Sequence, residues 1–131
     1  MPEKSINTKQ QLRAQRAYRK VHSHINRSGK EKDAYTQLSK RFPALVHSSG
    51  LAQAVAFVKA KGKENAIIRT YLEDLQHVME VNGDLTVQSR EEPLTEYQNL
   101  SRKALESATW IKRCAESMLE VKKTDGPGMQ G

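Results

Sequence analysis

Residues 51–61 read LAQAVAFVKAK and form the most apolar segment of the chain. Leu51, Val55 and Val58 recur at intervals of four and three residues, which places them on one side of an α-helix. Gly62 follows this segment and predicts its end, because glycine is common where helices stop. We therefore expect a buried helix near the centre of the molecule.

The same helical spacing recurs on both sides of this segment, and no stretch alternates as a β-strand does. It predicts helices over residues 7–26, 31–42, 64–81 and 93–122, with a short helix after Pro43. Residues 85–92 are expected to form a linker of uncertain form. The sequence thus predicts an all-α fold, a single domain of five or six helices over residues 1–123. The glycine-rich tail, residues 124–131, is expected to be disordered.

Glycine, proline and small polar residues mark the expected helix ends. Asn7 or Thr8 could cap the first helix, since their side chains can accept from its unpaired backbone N–H groups. Gly29 is expected to end that helix. Pro43 is expected to break the second, because proline has no N–H to donate and disfavours the helical conformation of the residue before it.

The composition excludes several classes of protein. Apolar residues make up 37% of the 131 and charged residues 28%, as in a soluble folded domain. The one cysteine, Cys114, allows no intramolecular disulfide, which favours a reducing compartment and a cytoplasmic location. The longest apolar-rich stretch, residues 51–58, is too short to span a membrane, and the N-terminus lacks the apolar run of a signal peptide.

No group of residues has the spacing of a catalytic or metal site. The histidines match neither HExxH nor any motif paired with CxxC, so we interpret them as surface or partly packed residues: His22, His24, His47 and His77. The adjacent acids Glu73/Asp74 and Glu91/Glu92 are interpreted as solvated helix faces, and Cys114 as a small core residue. The sequence therefore predicts no catalytic residue, no metal and no cofactor, and a protein that is not an enzyme.

Charge is distributed very unevenly along the chain. The formal net charge is +7, and residues 1–30 alone contain eight Lys or Arg against one acid, Glu3. Such asymmetry points to a polyanionic partner such as nucleic acid.

Most of these cations share one face of the first predicted helix. At about 100° per residue they fall within a sector of about 60°; they are Lys9, Arg13, Arg16, Lys20 and Arg27. The sector lies about 120° from the apolar stripe, so we expect the cations to be clear of the core and able to contact phosphates, whatever the base sequence. A solvated helix face is the alternative.

A second basic group, Lys59, Lys61 and Lys63, surrounds the end of the central helix. It too is a candidate for RNA phosphates. Complementarity to the negative end of the helix dipole explains the same residues equally well.

Three segments together resemble a known family. They are RAQRAYRKV (residues 13–21), FPALVHSSGLAQAVAFVKAKGK (residues 42–63) and ALESATWIKRCAESMLE (residues 104–120). In pattern and order they look like the small α-helical subunit of the type III-B CRISPR effector, the Cmr complex. The resemblance spans residues 13–120.

This resemblance implies a non-catalytic subunit of an antiviral ribonucleoprotein. Copies of such a subunit stack head to tail as a minor filament, beside the subunits that hold the guide RNA, while another subunit cleaves the target RNA. The implied partners are the other Cmr subunits, further copies of the chain, and guide and target RNA, with no membrane. A helical protein-interaction adaptor, with its basic face on an acidic partner protein, is the alternative function.

Overall fold

Six α-helices account for most of residues 8–120, the part of the chain that the computed structural model describes. They are α1 (Lys9–His22), α2 (Gly29–Ser49), α3 (Leu51–Gly62), α4 (Ala66–Met79), α5 (Leu85–Glu91) and α6 (Leu94–Met118). The prediction of an all-α fold with five or six helices is confirmed. The tail predicted at residues 124–131 lies outside the described residues, as do residues 1–7, with the predicted cap Asn7, and residues 121–123 of the predicted domain.

The core is built around α4, which packs against α1, α2, α3 and α6. Its Leu75 is fully buried and meets side chains contributed by the surrounding helices. Val21 of α1, Phe42 of α2, Val55 of α3 and Ile111 of α6 are likewise inaccessible to solvent. One apolar core is therefore shared by helices from both ends of the chain.

The helix at residues 51–61 forms as its spacing predicts. Leu51, Val55 and Val58 of α3 are fully buried. Gly62 is the last residue of α3, and a Cβ atom there would come within 2.8 Å of the Arg69 side chain on α4. Glycine at this position lets the end of α3 approach α4 closely.

The first helix is shorter than predicted. Thr8 caps it: the Thr8 hydroxyl accepts from the Gln11 N–H at 3.0 Å, and the Gln11 side chain accepts from the Thr8 N–H at 2.7 Å. The helix ends at His22, and the next residues form turns. The prediction that Gly29 ends α1 is wrong, since Gly29 is the first residue of α2.

Pro43 does not break the second helix, contrary to the prediction. α2 runs through it from Gly29 to Ser49. A proline inside a helix costs about 3 kcal/mol. However, Phe42 and Val46 on either side of Pro43 are both buried, and each such side chain gains about 1.5–3 kcal/mol from burial. Packing of both turns outweighs the cost of the proline.

Residues 85–91, expected to be a linker, form α5. Asp84 caps this helix through a hydrogen bond from the Thr86 N–H at 2.9 Å. The side chain of Gln76 on α4 accepts from the Leu85 N–H at 2.9 Å, and Leu85 is fully buried. The short helix is therefore held by contacts with the rest of the fold, which its own seven residues do not reveal.

Helix α6 follows Pro93, as predicted, and is the longest in the described structure. Its predicted core positions Leu100, Ala104, Ala108 and Ile111 are buried. None of the helices in residues 8–120 combines the length and apolarity that crossing a membrane requires.

Candidate nucleic-acid interface

The basic face of α1 lies along the seam where α1 packs against α4 and α6. Arg13 forms an ion pair with Glu106 of α6. The Arg16 guanidinium donates from Nε and Nη2 to the Val78 carbonyl at 3.1 and 2.9 Å, and lies 3.6 Å from the Glu80 carboxylate. Arg16 thus binds a backbone oxygen in the last turn of α4, where helix carbonyls lack partners and attract positive charge.

The expectation that all these cations stand clear of the core is wrong for Arg13 and Arg16. Their side chains are only 11% and 13% exposed. A helical wheel fixes where a side chain leaves its own helix, but not where neighbouring helices end. Arginine is long enough to reach across the seam to the end of α4 and the side of α6.

Arg27 lies outside α1, so its predicted place in the same row is also wrong. It belongs to the turn before α2. Its Nε donates to Nδ1 of His24 at 3.0 Å, and its Nη1 lies 3.6 Å from the Glu31 carboxylate. About a third of the Arg27 side chain remains exposed.

We call the row of α1 cations from Lys9 to Lys20 along this seam the basic seam, and these two lysines lie at its ends. Lys9 is exposed, whereas Lys20 is half-buried. Partial burial lowers the pKa of His77 on α4, and the positive charges of Lys20 and Arg16 lower it further. The α1 cations therefore create a positive potential that reaches across the seam to α4.

The second basic group lies at the end of α3, as predicted. Lys59, Lys61 and Lys63 are all exposed. The Lys59 ammonium is 3.4 Å from a carboxylate oxygen of Asp84, and that of Lys61 sits 5.2 Å from the centre of the Phe57 ring.

The structure does not bring the two basic groups together. Helix α4 packs against α1 through the Arg16–Val78 contact, and against α3 through a hydrogen bond from Arg69 to the Gly62 carbonyl. The two groups therefore lie on either side of α4.

A buried polar cluster was not predicted. One oxygen of Asp74 accepts from His24 Nε2 and from the Tyr35 hydroxyl, each at 2.7 Å, and all three residues are at most 5% exposed. The interpretation of His24 as a surface or partly packed residue, and of Asp74 as part of a solvated face, is wrong. The burial of Asp74 could have been predicted from spacing, since Asp74 lies three residues after Tyr71 and four before Val78, on the apolar stripe of α4.

The cluster fixes the tautomer of His24. Because Arg27 donates to Nδ1, that nitrogen carries no proton, and Nε2 donates its own proton to Asp74. Burial, followed by the negative charge of Asp74, raises the pKa of Tyr35 well above its usual value. These hydrogen bonds connect α4 to α2 and to the turn between α1 and α2. They also hold Arg27 at the surface.

The remaining side chains that could bind a metal or act in catalysis are separated from one another. Within residues 8–120, no three His, Cys, Asp or Glu side chains are grouped so that they could hold a metal ion. Cys114 is half-buried against the core, and burial raises the pKa of its thiol.

Comparison with known proteins identifies the family. The family model described as "CRISPR-associated protein (Cas_Cmr5)" matches residues 9–118, which is most of the chain. The chain belongs to the Cmr5 family. The resemblance to the small helical subunit of the Cmr complex is thereby confirmed.

Two Cmr5 proteins show the extent of the similarity. The CRISPR system Cmr subunit Cmr5 of Thermus thermophilus is 34% identical over 117 residues, which cover 88% of this chain and 99% of that protein. The crystal structure of a Cmr5 family protein from the same organism matches with a TM-score of 0.78 at 35% identity, covering 88% of this chain and 100% of that one. The helical fold is therefore that of the Cmr5 family.

Proposed function

We propose that this Cmr5-family chain is a non-catalytic structural subunit of a type III-B CRISPR effector complex. In this role it binds the other Cmr subunits, and its copies stack head to tail. Its two basic groups contact phosphates of guide and target RNA. The family membership supports the place in the complex, and the charge distribution supports the RNA contacts.

The observation that carries the RNA contacts is the concentration of positive charge along the α1 seam. Almost the whole net charge of +7 arises in residues 1–30. On α1 the cations lie against the end of α4, where burial first, and then the charges of Lys20 and Arg16, lower the pKa of His77. A row of cations on a rigid helix can follow a phosphate backbone and release its counterions.

The cations of the two groups divide into two roles. Lys9 and Lys20, with Lys59, Lys61 and Lys63 across α4, have side chains that can reach a phosphate. Arg27 contributes its exposed third. Arg13 and Arg16 have guanidinium groups already engaged by Glu106 and Val78, so they hold α1 in place and add to the positive potential.

The contacts are expected to be independent of base sequence. Stacking on successive bases requires a set of exposed aromatic rings. Tyr35, Phe42 and Tyr71 are buried in the core, and Tyr18 on α1, which is 48% exposed, stacks on His22 of its own helix. Phosphates carry no sequence information, so binding through them treats all RNA sequences alike.

The test uses the assembled complex. We compare RNA affinity as a function of salt for complexes carrying the wild-type chain or Lys20→Gln, Lys61→Gln and Lys63→Gln together. These lysines form no ion pair within the described residues, so folding should be preserved. Each lost contact to a single strand should flatten the slope of log affinity against log salt by about 0.7, and three should flatten it by about 2.

A matched variant controls for net charge. Arg41→Gln, Arg90→Gln and Lys112→Gln remove the same charge elsewhere, and the slope should then stay close to the wild-type value. Equal slopes for the two triple variants would refute the RNA contacts. If the lysine variant instead failed to join the complex, its basic face would bind a protein, as an adaptor does.

A further inference from the structure

A small open cavity lies where the start of α1 meets the end of α4 and the middle of α6. Its volume is about 180 Å³, the space of about six water molecules. Sites for drug-sized ligands and cofactors usually occupy about 300–1,000 Å³. The cavity suits a group the size of a phosphate better than a whole nucleotide.

Charge in this cavity is strongly unbalanced. Its walls hold four cations against one carboxylate, and they are Lys9, Arg13, Arg16, Lys103 and Glu80. Leu12 and Met79 complete the lining. These apolar side chains keep part of the water away, which strengthens the attraction of the cations for an anion.

Two of the four cations are available to a ligand. Within residues 8–120, neither Lys9 nor Lys103 has an ion-pair partner. Arg13 is not available, because Glu106 holds it from outside the cavity and its Nε is shielded from solvent. The cavity therefore contains two ammonium groups that no carboxylate within residues 8–120 neutralises.

The one carboxylate in the cavity is held loosely. Glu80 lies 3.6 Å from the Arg16 guanidinium, beyond hydrogen-bond distance, and its side chain is 70% exposed. Within residues 8–120 its carboxylate has no other ion pair or hydrogen bond, so it can move into solvent without breaking one. Glu80 thus lies where an incoming anion would meet Arg16.

We propose that this cavity binds one phosphate of the RNA backbone, with the ammonium groups of Lys9 and Lys103 as its ligands. The Glu80 carboxylate occupies the place beside Arg16 until RNA displaces it. This assignment rests on the proposed function and locates one of its contacts. It also adds Lys103, a residue of α6 that sequence reasoning did not select.

The test compares Lys103→Ala with Lys112→Ala in the assembled complex. Lys112 is the matched control, because it is half-buried like Lys103 and lies nine residues along α6, on the opposite side of the helix. Lys103→Ala should lower RNA affinity and flatten the salt slope by about 0.7–0.9. The affinity ratio of wild type to Lys103→Ala should fall about threefold between 50 and 200 mM salt, while Lys112→Ala behaves as wild type.

A second variant is expected to change RNA affinity in the opposite direction. Glu80→Gln removes the competing charge and should raise RNA affinity, whereas loss of a merely structural contact would lower it or leave it unchanged. Equal affinities for Lys103→Ala and Lys112→Ala, or no gain from Glu80→Gln, would refute the cavity site. The proposed function would survive that result if the triple lysine variant still flattened the salt slope.

Discussion

At the scale of single residues, Tyr35 and Tyr71 are two buried tyrosines that differ in one hydrogen bond. The Tyr35 hydroxyl donates to Asp74 at 2.7 Å, whereas the buried Tyr71 hydroxyl has no hydrogen-bond partner among residues 8–120. Tyr35→Phe should lower the free energy of unfolding by about 1.5–3 kcal/mol, the usual value of a hydrogen bond to a charged group. Urea unfolding followed by circular dichroism measures this change.

Tyr71→Phe is the matched control at this scale. The substitution deletes the same atom from an equally buried ring, yet it breaks no hydrogen bond. It should change stability by less than about 0.5 kcal/mol or increase it, because an unsatisfied polar group leaves the core. Equal losses for the two variants would show that Asp74 does not depend on Tyr35.

The sequence shows which residues are charged, but it does not predict which groups those charged side chains contact. Lys9, which is exposed, and Lys20, which is half-buried, are accessible to solvent as expected. Arg13 and Arg16 are not, because their partners Glu106 and Val78 lie on helices distant in the sequence. The place of Asp74 on the apolar stripe of α4 indicates its burial, but its partners His24 and Tyr35 come from earlier in the chain and cannot be predicted from that stripe.

At the scale of helices, the contact of α1 with α4 is electrostatic as well as apolar. Partial burial and the nearby charges of Lys20 and Arg16 lower the pKa of His77 below its usual value near 6.5. Lys20→Gln should therefore raise the pKa of His77, as measured by NMR titration of its ring protons. Lys30→Gln, which removes the same charge from the start of α2, should leave it unchanged.

The shift also sets how this contact depends on pH. Because the pKa of His77 is lower in the folded chain, the unfolded chain binds more protons at mildly acidic pH. His77 therefore adds to stability above its unfolded pKa, and this contribution is lost as the pH falls through the folded value. Lys20→Gln should reduce the loss. A His77 pKa at or above about 6.5 in the wild-type chain would contradict this account.

Apolar spacing predicts helices better than it predicts their ends. The stripes of α3 and α6 are long, so both helices could be located from the sequence. Pro43 and α5 were misjudged because local rules omit tertiary packing. Burial of Phe42 and Val46 stabilises α2 on both sides of Pro43. The segment of α5 has no strong apolar pattern, and burial of Leu85 together with its hydrogen bond to Gln76 stabilises it as a helix.

At the scale of the whole molecule, the sequence predicts the class of fold and the sign of the charge, but not how the charge is arranged. Both basic groups were identified as runs along the chain. Their placement on either side of α4 follows from the packing order of the helices, which no local pattern contains. The cavity between α1 and α6 is likewise a product of assembly, because Lys9 and Lys103 are far apart in sequence.

Because one core joins the helices, unfolding should be a single cooperative step. Leu75 is fully buried on α4, the helix that contacts α1, α2, α3 and α6. Leu75→Ala should lower the free energy of unfolding by about 2–5 kcal/mol. Fluorescence of Trp110 on α6 and circular dichroism of all helices should show the same lowered midpoint, as two-state unfolding requires.

Leu94→Ala is the control for this substitution. Leu94 is 71% exposed at the start of α6, so the same truncation there removes little buried surface and should cost less than about 0.5 kcal/mol. If Leu75→Ala shifted the circular dichroism transition but not that of Trp110, α6 would unfold separately from α4. The basic seam depends on α1, α4 and α6 together, so such independence would leave the Arg13 and Arg16 contacts without a fixed framework.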